Sequence, residues 1–293
     1  MATTTPEKQP RLPILYRMKI DSDHRTPEEL REHYEIEKEL ANRLRASSQE
    51  ERVTLYASLY DEFNRRVPFH AELAEQQPSQ NTSVTTSFQW RFLSRFVRKD
   101  TVFLEIGAGD CAISLAMAGR VKKVFAMEVS QEMVKSVRGP ENFELILSGG
   151  CDIPLPAESA TVAYSHQVME HLHPDDAVEQ LTNIYRILTK GGIYICVTPN
   201  RLSGPHDISG CFDSVATGFH LKEYTNTDLT AAFKQAGFAA VKAYFGALGV
   251  YVRCPLFVLK LLEGLLDSLP HRLCRALAES LLLVNIRLVG VKK

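Results

Sequence analysis

The chain has 293 residues, 45% hydrophobic and 24% charged, the proportions of an ordinary globular protein able to bury a sizeable core. Its 34 Lys and Arg against 35 Asp and Glu leave a formal net charge of -1, which disfavours the whole-molecule positive field that gathers nucleic acid. Cysteines at 111, 151, 196, 211, 254 and 274 form neither a C-x-x-C pair nor the His/Cys spacing of zinc sites, so a reducing interior is expected.

The opening "MATTTPEKQPRLPILYRMKI" lacks the apolar core of a signal peptide, and no stretch reaches the roughly 18 apolar residues of a membrane span. A cytoplasmic protein is the expectation. A first helix is predicted in "TPEELREHYEIEKELANRL", with Thr26 as N-cap, Pro27 in its first position and Glu29 completing a capping box. A second lies in "SSQEERVTLYASLYDEFNRRVP", where Val53, Tyr56, Ala57, Tyr60, Phe63 and Val67 recur at helical spacing before Pro68. The breaker-rich "AEQQPSQNTSVTTS" reads as a connector.

From about residue 100 the apolar runs "TVFLEIG", "KVFAMEV", "FELILSG", "TVAYSH" and "GGIYICVTP" alternate with helical stretches, the pattern of a doubly wound, mostly parallel sheet. The helix in "PDDAVEQLTNIYRILTKGG" places Leu181, Ile184, Tyr185 and Leu188 on one face, with Gly191 and Gly192 as its stop. "EYTNTDLTAAFKQAGF" is a further capped helix ending at Gly237, and "AAVKAYFGALGVY" and "NIRLVGVKK" each supply a late strand. Between these strands the leucine-rich 255–284 segment reads first as core-packing helices interrupted by Lys260, Glu263 and Asp267. The sharper reading is an apolar wall for a hydrophobic or lipid-linked substrate.

The chemistry concentrates in "VFLEIGAGDC". Gly107, Gly109 and Ala112 satisfy G-x-G-x-x-A, so a nicotinamide or flavin dinucleotide is the first rival. Glycines there let a ligand approach the backbone, and the following helix offers free N–H groups. Glu105 opposes a pyrophosphate yet suits a ligand with ammonium and sulfonium charges, such as S-adenosylmethionine. Glu128 ends the next strand, placed for ribose hydroxyls, and Asp152 follows the third, placed for the adenine amine.

On these segments the sequence resembles the class I S-adenosylmethionine-dependent methyltransferases, and more narrowly their bacterial type 11 group. The carriers are "FLEIGAGDC", "AMEVS", "GGCDIPLP" and "AYSHQVMEHL", followed by "RILTKGGIYICVTPN". The resemblance covers about residues 85 to 293, and the helical start, including "YDEFNRRVP", is similar to an extension of bacterial relatives. It implies an α/β fold, a seven-stranded Rossmann-like sheet whose last strand is antiparallel. A helical extension over 1–85 would act as a lid on a catalytic domain over 86–293.

It also implies S-adenosyl-L-methionine as cofactor and S-adenosyl-L-homocysteine as product. Glu105, Gly107 and Gly109 would border the methionine half, Glu128 the ribose, and Asp152 with Ile153 the adenine, with Ala108 and Val129 also in the cofactor-binding set. His166 and Gln167 would face the cofactor near the sulfonium. Cys111 stands where the family's first motif has its third small residue.

Methyl transfer is an in-line displacement at an activated carbon, so positioning, worth roughly 7 to 11 kcal/mol, outweighs any protein nucleophile. An oxygen acceptor would gain from a base near neutral pKa. The candidates are His166 and, in the long segment "PNRLSGPHDISGCFDSVATGFHLKEYT", His206 and His220; for His206 with Asp207, loop-structural use and acceptor contact are equal alternatives. Glu170, His171 and His173 in "MEHLHP" hint at a metal cluster, but the resemblance makes Glu-His-Leu a structural piece near the cofactor pocket, so no metal is expected. Tyr60 and Arg91 are secondary lid candidates. The favoured partner is a small-molecule acceptor, oxygen ahead of nitrogen and carbon. The alternatives are an NAD-dependent oxidoreductase and a non-catalytic S-adenosylmethionine-binding subunit.

Overall fold

The computed structural model describes residues 25–67, 80–247 and 249–293. Helix α1 (Pro27–Ala46) starts at Thr26, whose hydroxyl accepts from the Glu29 amide while the Glu29 carboxylate accepts from the Thr26 amide at 2.6 Å. The same reciprocal cap, Ser48 with Glu51, opens α2 (Gln49–Arg66). Each cap satisfies amides that lack an intrahelical partner. Along α2, Tyr56, Leu59 and Phe63 are buried, whereas Val53 from the expected stripe faces outward; Pro68 lies outside the described residues.

Helix α3 (Gln80–Leu93) replaces most of the expected connector, whose residues 74–79 lie outside the described part. Its polar start has poor helix propensity, but Phe92 and Leu93 at its end are buried under the sheet, and tertiary packing overrides propensity.

Strands β1 (Val102–Ile106), β2 (Lys123–Glu128), β3 (Phe143–Leu147), β4 (Ala160–His166) and β5 (Leu188–Pro199) are parallel to their neighbours. Between them run α4 (Ala112–Ala118), α5 (Gln131–Val134) and α6 (Pro174–Ile187). After a long insertion come α7 (Asn226–Gln235), β6 (Ala240–Ala247), β7 (Val250–Cys254), α8 (Leu256–Asp267), α9 (His271–Ser280) and β8 (Asn285–Val291). The sheet order is β3-β2-β1-β4-β5-β8-β6-β7, with β8 antiparallel to both β5 and β6.

Eight strands stand where seven were expected. The run "AAVKAYFGALGVY" folds back on itself as a β6–β7 hairpin, with Gly249 at φ +82 supplying the left-handed turn. Gly191 and Gly192 do not stop α6 either. The helix ends at Ile187, because Leu188 already pairs with Ala160 of β4, and both glycines lie within β5.

One side of the sheet packs Leu104, Ile106 and Tyr194 together with Leu40 and Leu44 of α1 and Tyr56 and Leu59 of α2. The N-terminal helices are therefore part of the main core. The other side packs Phe103, Tyr164 and Ile195 against Phe92 of α3 and Met117 of α4. Helices α8 and α9 bury Leu259, Leu266, Cys274 and Ala278 in the core, as expected, but Glu263 departs from its expected place. Glu263 points inward and accepts from the Asn226 amide at 2.7 Å, Asn226 Nδ2 at 2.8 Å and the Thr227 amide at 3.2 Å, capping α7, while Phe257, Leu261 and Leu265 are exposed. Among the described residues no helix is long and apolar enough to cross a membrane.

The extension is fastened by a buried ion pair. Arg52 Nε donates to Asp176 Oδ2 at 2.6 Å and Nη2 to Oδ1 at 2.7 Å, with side chains 3% and 2% exposed, and Tyr56 Oη donates to Oδ2 at 2.6 Å. Removing one partner leaves the other charge buried and unpaired. Asp176→Ala should therefore lower unfolding stability by about 3 to 5 kcal/mol in denaturant titrations. The double variant with Arg52→Met should lose clearly less than the sum of the single losses.

Candidate ligand site at the strand tips

The turn between β1 and α4 is built on left-handed backbone. Gly107 has φ +68, Gly109 φ +53 and Cys111 φ +61. Glycine adopts this region freely, whereas a cysteine there is strained, and such strain collects at ligand-binding turns. The Cys111 thiol is buried, and burial above all pushes its pKa up to about 12, so it is a packing group rather than a nucleophile. A Cβ at Gly107 would stand 2.5 Å from Cγ2 of Val168, which brings the loop after β4 directly against this turn.

Most amides of the turn are already engaged. The Ala108 amide donates to Met127 O at 3.0 Å, Gly109 to Glu128 Oε2 at 2.8 Å, Cys111 to Ala108 O at 2.8 Å and Ala112 to Asp110 Oδ1 at 3.0 Å. The expected set of free N–H groups is thus largely consumed by the protein itself. A dinucleotide pyrophosphate needs those amides.

Glu128, at the tip of β2, also accepts from the Val129 amide at 2.9 Å and the Ser130 amide at 3.0 Å through Oε1. These three bonds from backbone amides tie the β1 turn to the β2 tip and use three of its roughly four lone-pair positions. Glu105, at the tip of β1, is 6% exposed and accepts from Ser114 Oγ at 2.5 Å. Burial pushes its pKa up to about 8; Ser114 opposes the rise, and the Asp110 and Glu128 charges add to it.

The other expected residues line the same edge. Asp152 is exposed, and its main-chain carbonyl accepts from Ser148 Oγ at 2.5 Å; Ile153 is fully buried. Gly149 and Gly150, just before, touch α2: a Cβ would meet Val53 O at 2.6 Å and the Tyr56 ring at 2.9 Å. His166, half-buried at the tip of β4, contacts Gln89 of α3 through Nδ1 at 3.3 Å. Burial and the Arg287 charge lower its pKa to about 4, so it is neutral at pH 7. Gln167 donates to Asn285 Oδ1 at 3.2 Å.

His206 and His220 belong to a second, buried polar cluster. His206 Nε2 lies 3.1 Å from Asn200 O, which can only accept, so that nitrogen carries the proton; burial lowers its pKa. His220 Nδ1 lies 2.7 Å from Glu223 Oε1. Burial alone would depress His220, but Glu223, Glu170 and Asp207 together raise it to about 9. Asp207 caps the turn at Ile208–Cys211 by accepting from the Ser209 amide at 3.1 Å, as its loop-structural reading expects.

Helix α1 holds this cluster. Glu37 Oε1 accepts from the Phe219 amide at 2.8 Å, and Arg45 donates to the carbonyls of Thr217 and Gly218, each at 2.9 Å. Tyr60 stacks on Phe219 and meets His171 edge-on at 6.1 Å, while Arg91 lies against Gly249. His173 caps α6 by accepting from the Asp175 amide. Sequence reasoning missed Arg52, Asp176, Glu37 and Arg287, since no local pattern shows which distant charge each one meets. A cleft of about 380 Å³ lined by Arg95, Arg98 and Thr161 opens at the N-terminal edge of the strands, away from the edge where doubly wound sheets bind ligands.

Residues 104–196 match the family described as methyltransferase domain. Over 136 residues the chain is 29% identical to a probable S-adenosylmethionine-dependent methyltransferase of Mycolicibacterium smegmatis, covering 46% of this chain and 51% of that protein. A protein of the same description from Mycobacterium tuberculosis is 29% identical over 139 residues, 47% of this chain and 48% of the relative. The chain spans about half the length of the curated relatives it matches. An S-adenosylmethionine-dependent methyltransferase from Archaeoglobus fulgidus superposes with a TM-score of 0.51 at 16% identity, over 75% of this chain and 98% of that one. A possible histamine N-methyltransferase from Thermotoga maritima gives 0.50 at 16%, over 72% and 90%; these two likenesses show the fold alone.

Residues 104–196 thus match a methyltransferase domain, and the strand order and β1 turn around them agree with the class I S-adenosylmethionine-dependent fold.

Gly107→Ala combines a left-handed φ with a clash against Val168. It should cost on the order of 1 to 3 kcal/mol, read as a lower melting midpoint, whereas Gly119→Ala, with open space at its Cβ, should leave the midpoint within error.

Proposed function

We propose that the chain binds S-adenosylmethionine across the tips of β1, β2 and β4 and transfers its methyl group to a small-molecule acceptor, with oxygen as the accepting atom. The observation that carries this reading is the buried carboxyl of Glu105, held near pKa 8 beneath a turn whose amides are mostly taken. An ammonium group brought beside Glu105 converts a costly buried acid into an ion pair. A diphosphate there would add negative charge to it. Glu128 retains capacity for a ribose hydroxyl, and Asp152 stands exposed for the adenine amine.

The choice of oxygen rests on Arg287. Val197 pairs with both His166 and Arg287, so the two side chains share one row and one face of the sheet. Arg287 makes no ion pair among the described residues; it lies over the Tyr251 ring and donates weakly to Asn285 O. A guanidinium beside neutral His166 favours an acceptor that is, or becomes, an oxyanion over an ammonium ion. Within this reading bound S-adenosylmethionine supplies the activated methyl group, and the chain's residues orient the acceptor and exclude water. His166, at a pKa of about 4, is too weakly basic to do more than place a hydroxyl. The N-terminal helices act as a fixed wall rather than a hinged lid, since Arg52, Tyr56 and Glu37 bond them to α6 and the insertion.

The sign of the Glu105 shift gives the test. Its folded pKa lies above the unfolded value, so the free protein carries this proton between about pH 4.5 and 8. A cationic ligand lowers that pKa and expels the proton. Calorimetry of S-adenosylhomocysteine at pH 7 in buffers of different ionisation enthalpy should show release of roughly half to one proton per site, abolished in Glu105→Gln. Binding with no buffer dependence would remove Glu105 as the cation's partner.

A further inference from the structure

The turn after β4 presents Glu170 and His171, and the insertion after β5 brings His220 against them. One carboxylate oxygen and one ring nitrogen from each histidine lie within 4.8 Å of one another. The cluster differs from the trio suggested by "MEHLHP": His173 caps α6, and its place is taken by His220, 47 residues further along the chain (220 − 173).

Each of the three has one polar atom bonded to a group outside the trio. Glu170 Oε2 accepts from Thr198 Oγ1 at 2.8 Å, His171 Nδ1 lies 3.1 Å from Phe219 O, and His220 Nδ1 lies 2.7 Å from Glu223 Oε1. Phe219 O can only accept, so His171 Nδ1 carries a proton and its Nε2 is left with a lone pair. A histidine that donates one ring N–H to a carbonyl or a carboxylate and turns the other nitrogen toward a shared point is the arrangement outer-shell groups impose on metal-ligating imidazoles. Glu170 Oε1 is fully buried with no hydrogen-bond partner among the described residues, although buried oxygens are almost always paired.

We propose that Glu170, His171 and His220 bind a divalent transition-series cation, with Thr198, Glu223 and the Phe219 carbonyl as its outer shell. A two-histidine, one-carboxylate donor set suits zinc, cobalt, manganese or ferrous ions over calcium or magnesium, which prefer all-oxygen shells. The site lies past the C-terminal ends of β4 and β5, but binding of the ion is independent of cofactor binding at the β1 turn, so the two readings can fail separately.

The test uses tag-free, full-length protein stripped with chelator and titrated with Co²⁺ alone. The expected result is a saturable visible absorption at one equivalent, weakened at least about tenfold in Kd by Glu170→Gln and by His220→Gln and unchanged by His271→Gln at an exposed position. The melting midpoint of the unaltered protein should also rise with added Zn²⁺ and fall with EDTA. Titration without saturation, or with full affinity in both cluster variants, overturns the proposal. If those variants do not fold, the unaltered protein decides: a midpoint indifferent to Zn²⁺ and EDTA means that the cluster is held instead by an imidazolium shared between Glu170 and Glu223.

Discussion

A carboxyl group kept out of water beneath the β1 turn governs the ligand edge of this protein. Ionising Glu105 in its buried setting costs more than taking up a proton, so the group stays largely neutral at pH 7. Glu128, one strand away and 7% exposed against 6% for Glu105, receives three backbone N–H bonds and ties the β1 turn to the β2 tip.

The rest of the fold holds these tips in place from both faces. On one face, α1 and α2 share the sheet's hydrophobic core and add charged contacts that are too buried to be rearranged cheaply. On the other, α3 carries Gln89 to His166 and Phe92 into the aromatic packing around Tyr244 and Tyr251. The insertion after β5 is ordered through α1, whose Glu37 and Arg45 bond its main chain. The wall beside the acceptor side is thereby a product of the N-terminal helices and the insertion together.

The sequence carried the parts of this arrangement that are local. The capping box at Thr26, the glycine turn and the acids Glu105 and Glu128 near the ends of β1 and β2 depend on residues a few positions apart, and they are where their spacing puts them. What it could not carry depends on distant partners. Gly191 looked like a helix stop because nothing nearby reveals that Leu188 pairs with β4. Glu263 looked like a solvent-facing break in a leucine-rich helix because the amides it caps belong to α7, 36 and 37 residues away. The ionisation of Glu105 was legible as a placement but not as a state, since burial sets the state. His220 could not be joined to Glu170 until the insertion's path was known.

Ligand discrimination tests the central claim most directly. Matched calorimetric titrations of S-adenosylhomocysteine and of NADH or ADP-ribose into the same protein compare an ammonium-bearing amino-acid nucleoside with diphosphate-bearing ones at the same turn. The account predicts saturable binding of the first and at least a hundredfold weaker binding of the others, a gap of about 2.7 kcal/mol. Comparable or tighter binding of the diphosphates would contradict it.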